Sequence, residues 1–361
     1  MDDFVPLTIA DVRALTNDSV AVTFVVPADI SETFRFRHGQ YLTLRAVVDG
    51  RTMIRSYSIC SAIGEPQPMI AVRRIDGGRF SEYVHRHFRR GVTVDVAPPA
   101  GEFTIPLDPL RARSYLCIAA GSGITPILSI LRSVLVNEPR SRVTLLYGNR
   151  RTNTMMFRDE LSFLKNAYLD RFQWINVMSR EKQEAEILNG RINNRKGAEL
   201  NRHLIRIRAF DEFFLCGPEA MIAEVSRGLR SEGIDAARIH YELFRASAAD
   251  ARLVLEKHHA RAERFAGALS EVHVRVGGRE IAFELACDGE NILDAALDAG
   301  LEAPYACKGG VCATCKARLV DGEVEMDVNH ALDAAQIAAG FILTCQAHPL
   351  SKRVVVDYDA V

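Results

Sequence analysis

Four of the eight cysteines in this 361-residue chain share one pattern: Cys307, Cys312 and Cys315 lie in the loop ACKGGVCATC, and Cys345 follows at a distance. Cys-x4-Cys-x2-Cys with a remote fourth cysteine is the spacing of a plant-type [2Fe–2S] site. Four thiolates converge on two irons only if the loop is tight and its side chains small. Gly309 and Gly310 supply the turns here, and Ala313 and Thr314 avoid clashes. Four thiolates also satisfy a tetrahedral zinc ion. Zinc ribbons, however, usually pair two short knuckles, so three cysteines in one loop favour the cluster. Cys60, Cys117 and Cys287 have no comparable neighbours and are expected as core thiols.

A second pattern suits an anionic ligand. The β-rich run SYLCIAA leads into Gly121-Ser-Gly123-Ile-Thr125-Pro126 and then a helical stretch. A strand, a glycine turn and a helix aim backbone N–H groups and the helix dipole at a pyrophosphate. Pro126 stands where the dinucleotide fingerprint has its third glycine, and such a turn alone serves packing equally well. Two further groups bear on it: Arg55-Ser56-Tyr57-Ser58 in an earlier β-rich run, and Cys216-Gly217-Pro218 at the end of a later one.

Those residues need elements to hold them. Residues 5–100 alternate short β-rich runs (SVAVTFVV, QYLTLRAVV, TMIRSYSIC, MIAVRRI, VTVDVAP) with Gly, Pro and Asp turns, which predicts an antiparallel barrel or sandwich with one amphipathic helix near Phe80 to Arg89. From about Arg113 the runs SYLCIAA, RVTLLYG, FQWINVM and DEFFLCG are each followed by a helical pattern, which predicts βαβ units and a parallel sheet. Residues 247–270 are rich in small and charged residues and are expected as a linker, partly helical, with His258 and His259 as a solvated pair. The strands EVHVRVGG and REIAFELAC, a helix from near Asn291, the cysteine loop and a final strand RVVVDY complete the chain. The expected division is 1–110, 111–246, a linker at 247–270, and 271–361.

Taken together, Arg55 to Ser58, Gly121 to Pro126 and Cys216 to Pro218, in that order, resemble the ferredoxin–NADP reductase superfamily over residues 1–246. Pro304 through Cys315, with Gly340-Phe-Ile-Leu-Thr-Cys345-Gln, resemble the plant-type ferredoxin domain over 271–361. The resemblance implies an antiparallel β-barrel flavin domain, an α/β nucleotide domain with a parallel sheet, and an α+β (β-grasp) ferredoxin domain. It implies that Arg55 binds the flavin phosphate, Tyr57 stacks on the isoalloxazine ring, and Ser58 hydrogen-bonds near N5, with Ser56 between them. Val72 would give backbone contacts, and Gly78, Phe80 and Ser81 would set a helix N-terminus on the pyrophosphate. Gly121, Gly123, Thr125, Pro126 and Cys216, Gly217, Pro218 would bind the nicotinamide dinucleotide, with Ser58 and Cys216 as the catalytic pair at the point of hydride transfer. Glu242 and Phe244 would approach the flavin or pack in the core. The GGRFS helix start is similar to FAD enzymes, whereas relatives of the phthalate dioxygenase reductase type use FMN. Ser179 and Arg180 fall where an adenosine ribose would lie. They suit the 2′-phosphate of NADPH, with Arg150 and Arg151 as further cations, while Glu181 suits NADH.

The segments YGNRRTNTMMF, LKNAYLDRF, MSREKQEAEILNGRIN and HYELF resemble the family of phenylacetyl-CoA epoxidase reductase subunits, with ketosteroid hydroxylase reductases next. That resemblance implies electron transfer from NADPH through FAD and [2Fe–2S] to a separate di-iron or Rieske-type oxygenase. A redox sensor, or a carrier without flavin, are the competing classes. The formal net charge of −1 excludes a whole-chain basic footprint for nucleic acid. Residues 271–361 hold seven Lys and Arg against fifteen Asp and Glu, a net of −8, and leave +7 on the remainder. The ferredoxin module is therefore expected to dock through an acidic face. The opening MDDFVPLTIADVRAL lacks a cationic, apolar leader, and Gly121, Gly123, Pro126 and Arg132 interrupt the most apolar stretch, so no membrane span and a cytoplasmic location are expected.

Overall fold

The computed structural model describes residues 4–75, 78–243, 248–305, 309, 310 and 313–360. Cys307, Cys312 and Phe244 lie outside the described residues. The chain divides into two compact units, Met1–Glu242 and Leu243–Val361.

The first unit opens with β1 (Val5–Thr16), β2 (Ser19–Val25), β3 (Tyr41–Val48), β4 (Arg51–Ser58), β5 (Met69–Arg73), helix α1 (Arg79–His87) and β6 (Thr93–Ala100). The six strands pair antiparallel in the order β4-β3-β6-β1-β2-β5, and an antiparallel bridge between Ile59 and Ile70 joins the two outer strands into the expected barrel. Strand period two drives this arrangement. Leu42, Leu44 and Val48 of β3 face a core shared with Phe24, Val72 and Phe80, while Arg45, on the other face, pairs with the cross-strand Asp95 at 2.9 Å. β1 is not among the expected runs. Its alternation breaks at Ala10-Asp11, where the pairing with β2 shifts register.

The α/β half follows: β7 (Ser114–Ala120), α2 (Ile124–Asn137), β8 (Arg142–Asn149), α3 (Arg158–Ala167), β9 (Phe172–Met178), α4 (Asn194–His203), β10 (Glu212–Cys216), α5 (Glu219–Ser231) and β11 (Ile239–Glu242). All five strands are parallel, in the order β11-β10-β7-β8-β9. β7 is covered on both faces and therefore reads as a continuous apolar run. α2 is buried nearly all round. Its Ser129 donates to the Ser61 carbonyl at 2.6 Å and its Ser133 accepts from the Ile63 amide at 2.9 Å, so two hydroxyls on an apolar helix bond it to the barrel side of the unit.

The second unit contains α6 (Ala248–Arg264), β12 (Leu269–Val276), β13 (Arg279–Ala286), α7 (Ile292–Asp298), β14 (Lys316–Asp321), β15 (Val324–Met326), α8 (Ala334–Ala338), β16 (Phe341–Leu343), β17 (Ala347–Pro349) and β18 (Arg353–Asp357). Its mixed sheet runs β13-β12-β18-β14-β16, and β15 and β17 form a separate two-stranded ribbon. Asn291 caps α7 by accepting the Asp294 amide at 2.9 Å, and Ile292, Leu293 and Ala296 pack under the sheet. The stretch expected as a linker is mostly α6, a 17-residue helix without an internal glycine or proline. His258 is not solvated: it is 3% exposed, because the helix lays that face on its own unit. No helix among the described residues is long and apolar enough to cross a membrane.

Candidate functional site

Three strand ends and one turn meet in the first unit. The tip of β4 carries Ser58, whose hydroxyl donates to Glu242 Oε2 at 3.2 Å. Glu242 ends β11 and lies in register beside Cys216, the last residue of β10. Burial raises the Glu242 carboxyl from 4.5 to about 7, against the hydrogen bond from Ser58. The buried Cys216 thiol is pushed well above its ordinary value by burial and by Glu242. That makes Cys216 a neutral thiol that shapes a wall, not a nucleophile.

Opposite Cys216, residues Gly121–Gly123 form a single 3-10 turn between β7 and α2. A Cβ on Gly123 would sit 2.1 Å from the Cys216 carbonyl oxygen, so only glycine lets the turn close on Cys216 and Gly217. Thr125 donates to the Ser122 carbonyl at 3.0 Å, and Tyr147 donates to the Gly121 carbonyl at 3.0 Å. Pro126 is buried in the first turn of α2, where its missing N–H costs no hydrogen bond. The α2 N-terminus, Cys216, Gly217 and Pro218 thus border one place, at the C-terminal ends of parallel strands.

On the barrel side, Arg55 donates to the Ile54 carbonyl at 2.7 Å, and among the described residues no carboxylate pairs with it. Tyr57 is half-buried, with its ring centroid 6.1 Å from that of Phe80. Ser56 points the other way and bonds Thr43 across the sheet at 2.9 Å. Gly78 is the N-cap of α1. Phe80 belongs to the barrel core, and Ser81 accepts from the Ile75 amide at 3.0 Å and donates to the Gly78 carbonyl at 2.9 Å. These side chains brace the helix start, whose first backbone N–H groups have no partner within the helix. Val72 is fully buried and its carbonyl is 3.2 Å from His85 Nε2.

At the far edge of the parallel sheet, the Ser179 and Arg180 amides donate to the Asn149 and Arg150 carbonyls, each at 2.9 Å, which joins the loops after β8 and β9. Glu181 accepts the Thr152 amide at 2.8 Å and the Thr152 hydroxyl at 2.5 Å. Both carboxylate oxygens are engaged, and these bonds hold the carboxyl below the usual range.

In the second unit Cys315 and Cys345 are buried side by side. The Cys345 thiol is raised first by its hydrogen bond with Cys315 and then by burial, while the Gly310 amide and the Gln346 side chain act the other way. Gln346 Nε2 lies 3.4 Å from Cys345 Sγ. Two converging thiols ringed by N–H donors suit thiolate ligands of a cluster. The expected partners Cys307 and Cys312 lie outside the described residues.

Known proteins carry the same order of parts. Residues 6–105 match an oxidoreductase FAD-binding domain, 117–227 an oxidoreductase NAD-binding domain, and 274–350 a 2Fe-2S iron-sulfur cluster binding domain. The chain is 43% identical to a component polypeptide of the 1,2-phenylacetyl-CoA epoxidase of Escherichia coli K12, over 100% of this chain and 99% of that one. It belongs to this family of flavin and iron–sulfur reductases. The ferredoxin reductase component of 3-ketosteroid-9-alpha-monooxygenase from Rhodococcus rhodochrous is 31% identical, over 98% of this chain and 96% of that one. Phthalate dioxygenase reductase shares the fold, with a TM-score of 0.53 and 24% identity over 99% of this chain and 98% of that one. The protein is an oxidoreductase whose cofactors are FAD, a nicotinamide nucleotide and a [2Fe–2S] cluster. Its residues fit all three: Arg55, without a carboxylate partner among the described residues, and a braced helix start suit the flavin phosphates, a glycine turn closed on Cys216 suits the nucleotide, and converging thiols suit the cluster.

Two features are only weakly marked in the sequence. Chain order leaves Glu242 between flavin and core, and only the register of β10 against β11 brings it to Cys216 and Ser58. The group His258, Arg261, Asp327 and His348 is not foreseen, although Lys257 and Arg261 stand four residues apart on one helix face, a spacing visible in LEKHHARAERF.

Proposed function

We propose that this chain is the reductase component of a phenylacetyl-CoA epoxidase, carrying electrons from NADPH to a separate oxygenase component. The observation that carries the reading is the meeting of Ser58, Cys216 and Glu242 beside the Gly123 turn, within a chain similar along its whole length to the epoxidase component. Bound there, the flavin supplies the conversion of a two-electron hydride into single electrons, which the cluster carries one at a time. The polypeptide supplies orientation. Arg55 and the N-terminus of α1 hold the flavin phosphates, Tyr57 covers the ring, and Ser56 and Val72 keep β4 and β5 in place. Gly121, Gly123, Thr125 and Pro126, with Cys216, Gly217 and Pro218, position the nicotinamide dinucleotide. The neutral Cys216 thiol would exclude water from a bound nicotinamide, and Ser58 Oγ and Glu242 Oε2 hold a proton beside it. Cys307, Cys312, Cys315 and Cys345 hold the cluster.

NADPH is the donor in this reading. Ser179 and Arg180 stand at the end of β9, and Glu181, the acid that would bond a ribose 2′-hydroxyl, is engaged with Thr152. The working division is a flavin domain at 1–110, a nucleotide domain at 111–246, a connecting segment at 247–270 and a ferredoxin domain at 271–361. The acidic ferredoxin domain docks the oxygenase, a di-iron or Rieske-type protein, without nucleic acid or membrane.

The test is an anaerobic visible spectrum followed by NADPH or NADH in separate samples, then by the epoxidase oxygenase component with phenylacetyl-CoA. Rapid bleaching of overlapping flavin and iron–sulfur bands by NADPH and product formation are expected. Bands that persist with both nucleotides sink the reductase reading. Turnover with a ketosteroid oxygenase but not with the epoxidase moves the chain to that partner.

A further inference from the structure

Inside the second unit, one face of α6 is fastened to the β15–β17 ribbon by buried charge. Lys257 donates to the carbonyls of Met326 and Asp327 at 2.7 and 3.0 Å. Arg261 Nη1 lies 2.7 Å from Asp327 and 2.5 Å from Glu325, and His348 Nε2 lies 2.9 Å from the other oxygen of Asp327. The His258 ring stands edge-on to His348, with centroids 5.0 Å apart. Burial favours a neutral Asp327, yet His348 and Arg261 hold its carboxyl well below the usual range.

The ribbon leads to the cluster ligands. The Asp327 amide donates to the Gln346 carbonyl at 2.9 Å, and Gln346 Nε2 reaches Cys345 Sγ at 3.4 Å. Just beyond Asp327, the His330 amide donates to the Gly310 carbonyl at 3.0 Å. A Cβ on Gly310 would lie 3.1 Å from Val328 and 3.3 Å from Gln346. The residues presenting N–H groups to the Cys345 sulfur, Gly310 and Gln346, therefore both lean on the segment that α6 grips.

We propose that Lys257, His258 and Arg261 are positioning residues for the iron–sulfur centre, fixing through Asp327 the hydrogen bond from Gln346 to the Cys345 sulfur and so setting the cluster's reduction potential. Hydrogen bonds to ligand sulfur favour the reduced, more negative state of such a centre. His258, Asp327 and His348 also have the make-up of a cation site, with ligand atoms within 4.8 Å of one another. Arg261 and Lys257 already bring two positive charges to that carboxylate segment, and they oppose a divalent ion there.

The inference rests on Cys345 being a cluster ligand, which Cys345→Ala tests separately by loss of the iron–sulfur bands. The main experiment is spectroelectrochemical titration of the loaded full-length protein, with the flavin potential as internal control. Arg261→Gln and Gln346→Leu are each expected to lower the cluster potential. The reduced-to-oxidised ratio at the wild-type midpoint should fall roughly threefold or more, the worth of one hydrogen bond. The double variant should fall no further than Gln346→Leu, with the flavin unmoved. Additive shifts, the mark of a direct charge effect, overturn the proposal, as does an unshifted Arg261→Gln. Should Arg261→Gln not fold, Lys257→Met, which spares the buried carboxylate's partners, takes its place under the same criteria. Stoichiometric zinc uptake abolished by His258→Leu replaces the latch with a metal site.

Discussion

Glu242 is the residue whose chemistry depends most on where the fold has put it. A carboxyl that titrates near 7 beside Cys216 changes charge within the working range. In the proposed site an ionised Glu242 would stabilise positive charge developing on a nicotinamide held beside Cys216. The rate of flavin reduction by NADPH in stopped flow is therefore expected to rise as pH increases through about 7. Glu242→Gln, neutral at every pH, should lose that limb and stay at the low-pH level. Stability has the opposite sign. The folded-state value lies above the ordinary 4.5, so Glu242's contribution is complete below about 4.5 and is lost as pH climbs through about 7. Thermal melts of Glu242→Gln should show a flatter decline between about pH 4.5 and 7. At the nucleotide's other end, Arg180→Ala is expected to cut kcat/KM for NADPH by about tenfold to a hundredfold, the worth of a hydrogen bond to a charged phosphate. The value for NADH should barely move, and equal losses with both would remove Arg180 from coenzyme selection.

Among the elements, the turn between β7 and α2 has the least room for change. Gly123→Ala places a methyl 2.1 Å from the Cys216 carbonyl oxygen, and something must shift to relieve it. The expected cost is about 1–3 kcal/mol of stability in the first unit. Flavin reduction by NADPH should slow far more than FAD content falls, as measured by stopped flow and by flavin absorbance. Retained nucleotide kinetics would show that the turn does not shape the site. The turn is legible in the sequence as glycines between the apolar run SYLCIAA and a helical stretch, and the structure shows Gly123 packed on Cys216 and Gly217. With period-two alternation in β3 and the first half of β6, and a continuous buried run in β5, the barrel strands are legible from their β-rich runs between turn residues. β1 is not, since its inward residues Leu7 and Ile9 are followed by a register shift that breaks the alternation. Nor is the burial of α6. Charged residues normally mark a solvated face, and nothing local says that Arg261 and Lys257 will meet Asp327 and the carbonyls beside it, some seventy residues on.

For the molecule as a whole, the uneven charge is the feature that reaches beyond the chain. A net of −8 on residues 271–361 against +7 on the remainder gives the ferredoxin module a field of its own. If the proposed docking uses this acidic module against a basic partner surface, oxygenase turnover is expected to fall steeply as ionic strength rises, with kcat for a small artificial acceptor nearly constant. A flat salt dependence with the oxygenase would count against acidic docking. A property of another kind follows from the bond between Ser58 and Glu242, which spans 184 positions of chain. Glu242 is the final residue of the first unit, whereas Arg55, Tyr57 and the α1 helix start are made early. During synthesis, therefore, the residues proposed to hold the flavin emerge from the ribosome long before Glu242, which closes the proposed hydride-transfer site. Since Met1–Glu242 is one compact unit, the bond that closes its two ends waits for the last residue of that unit to be made.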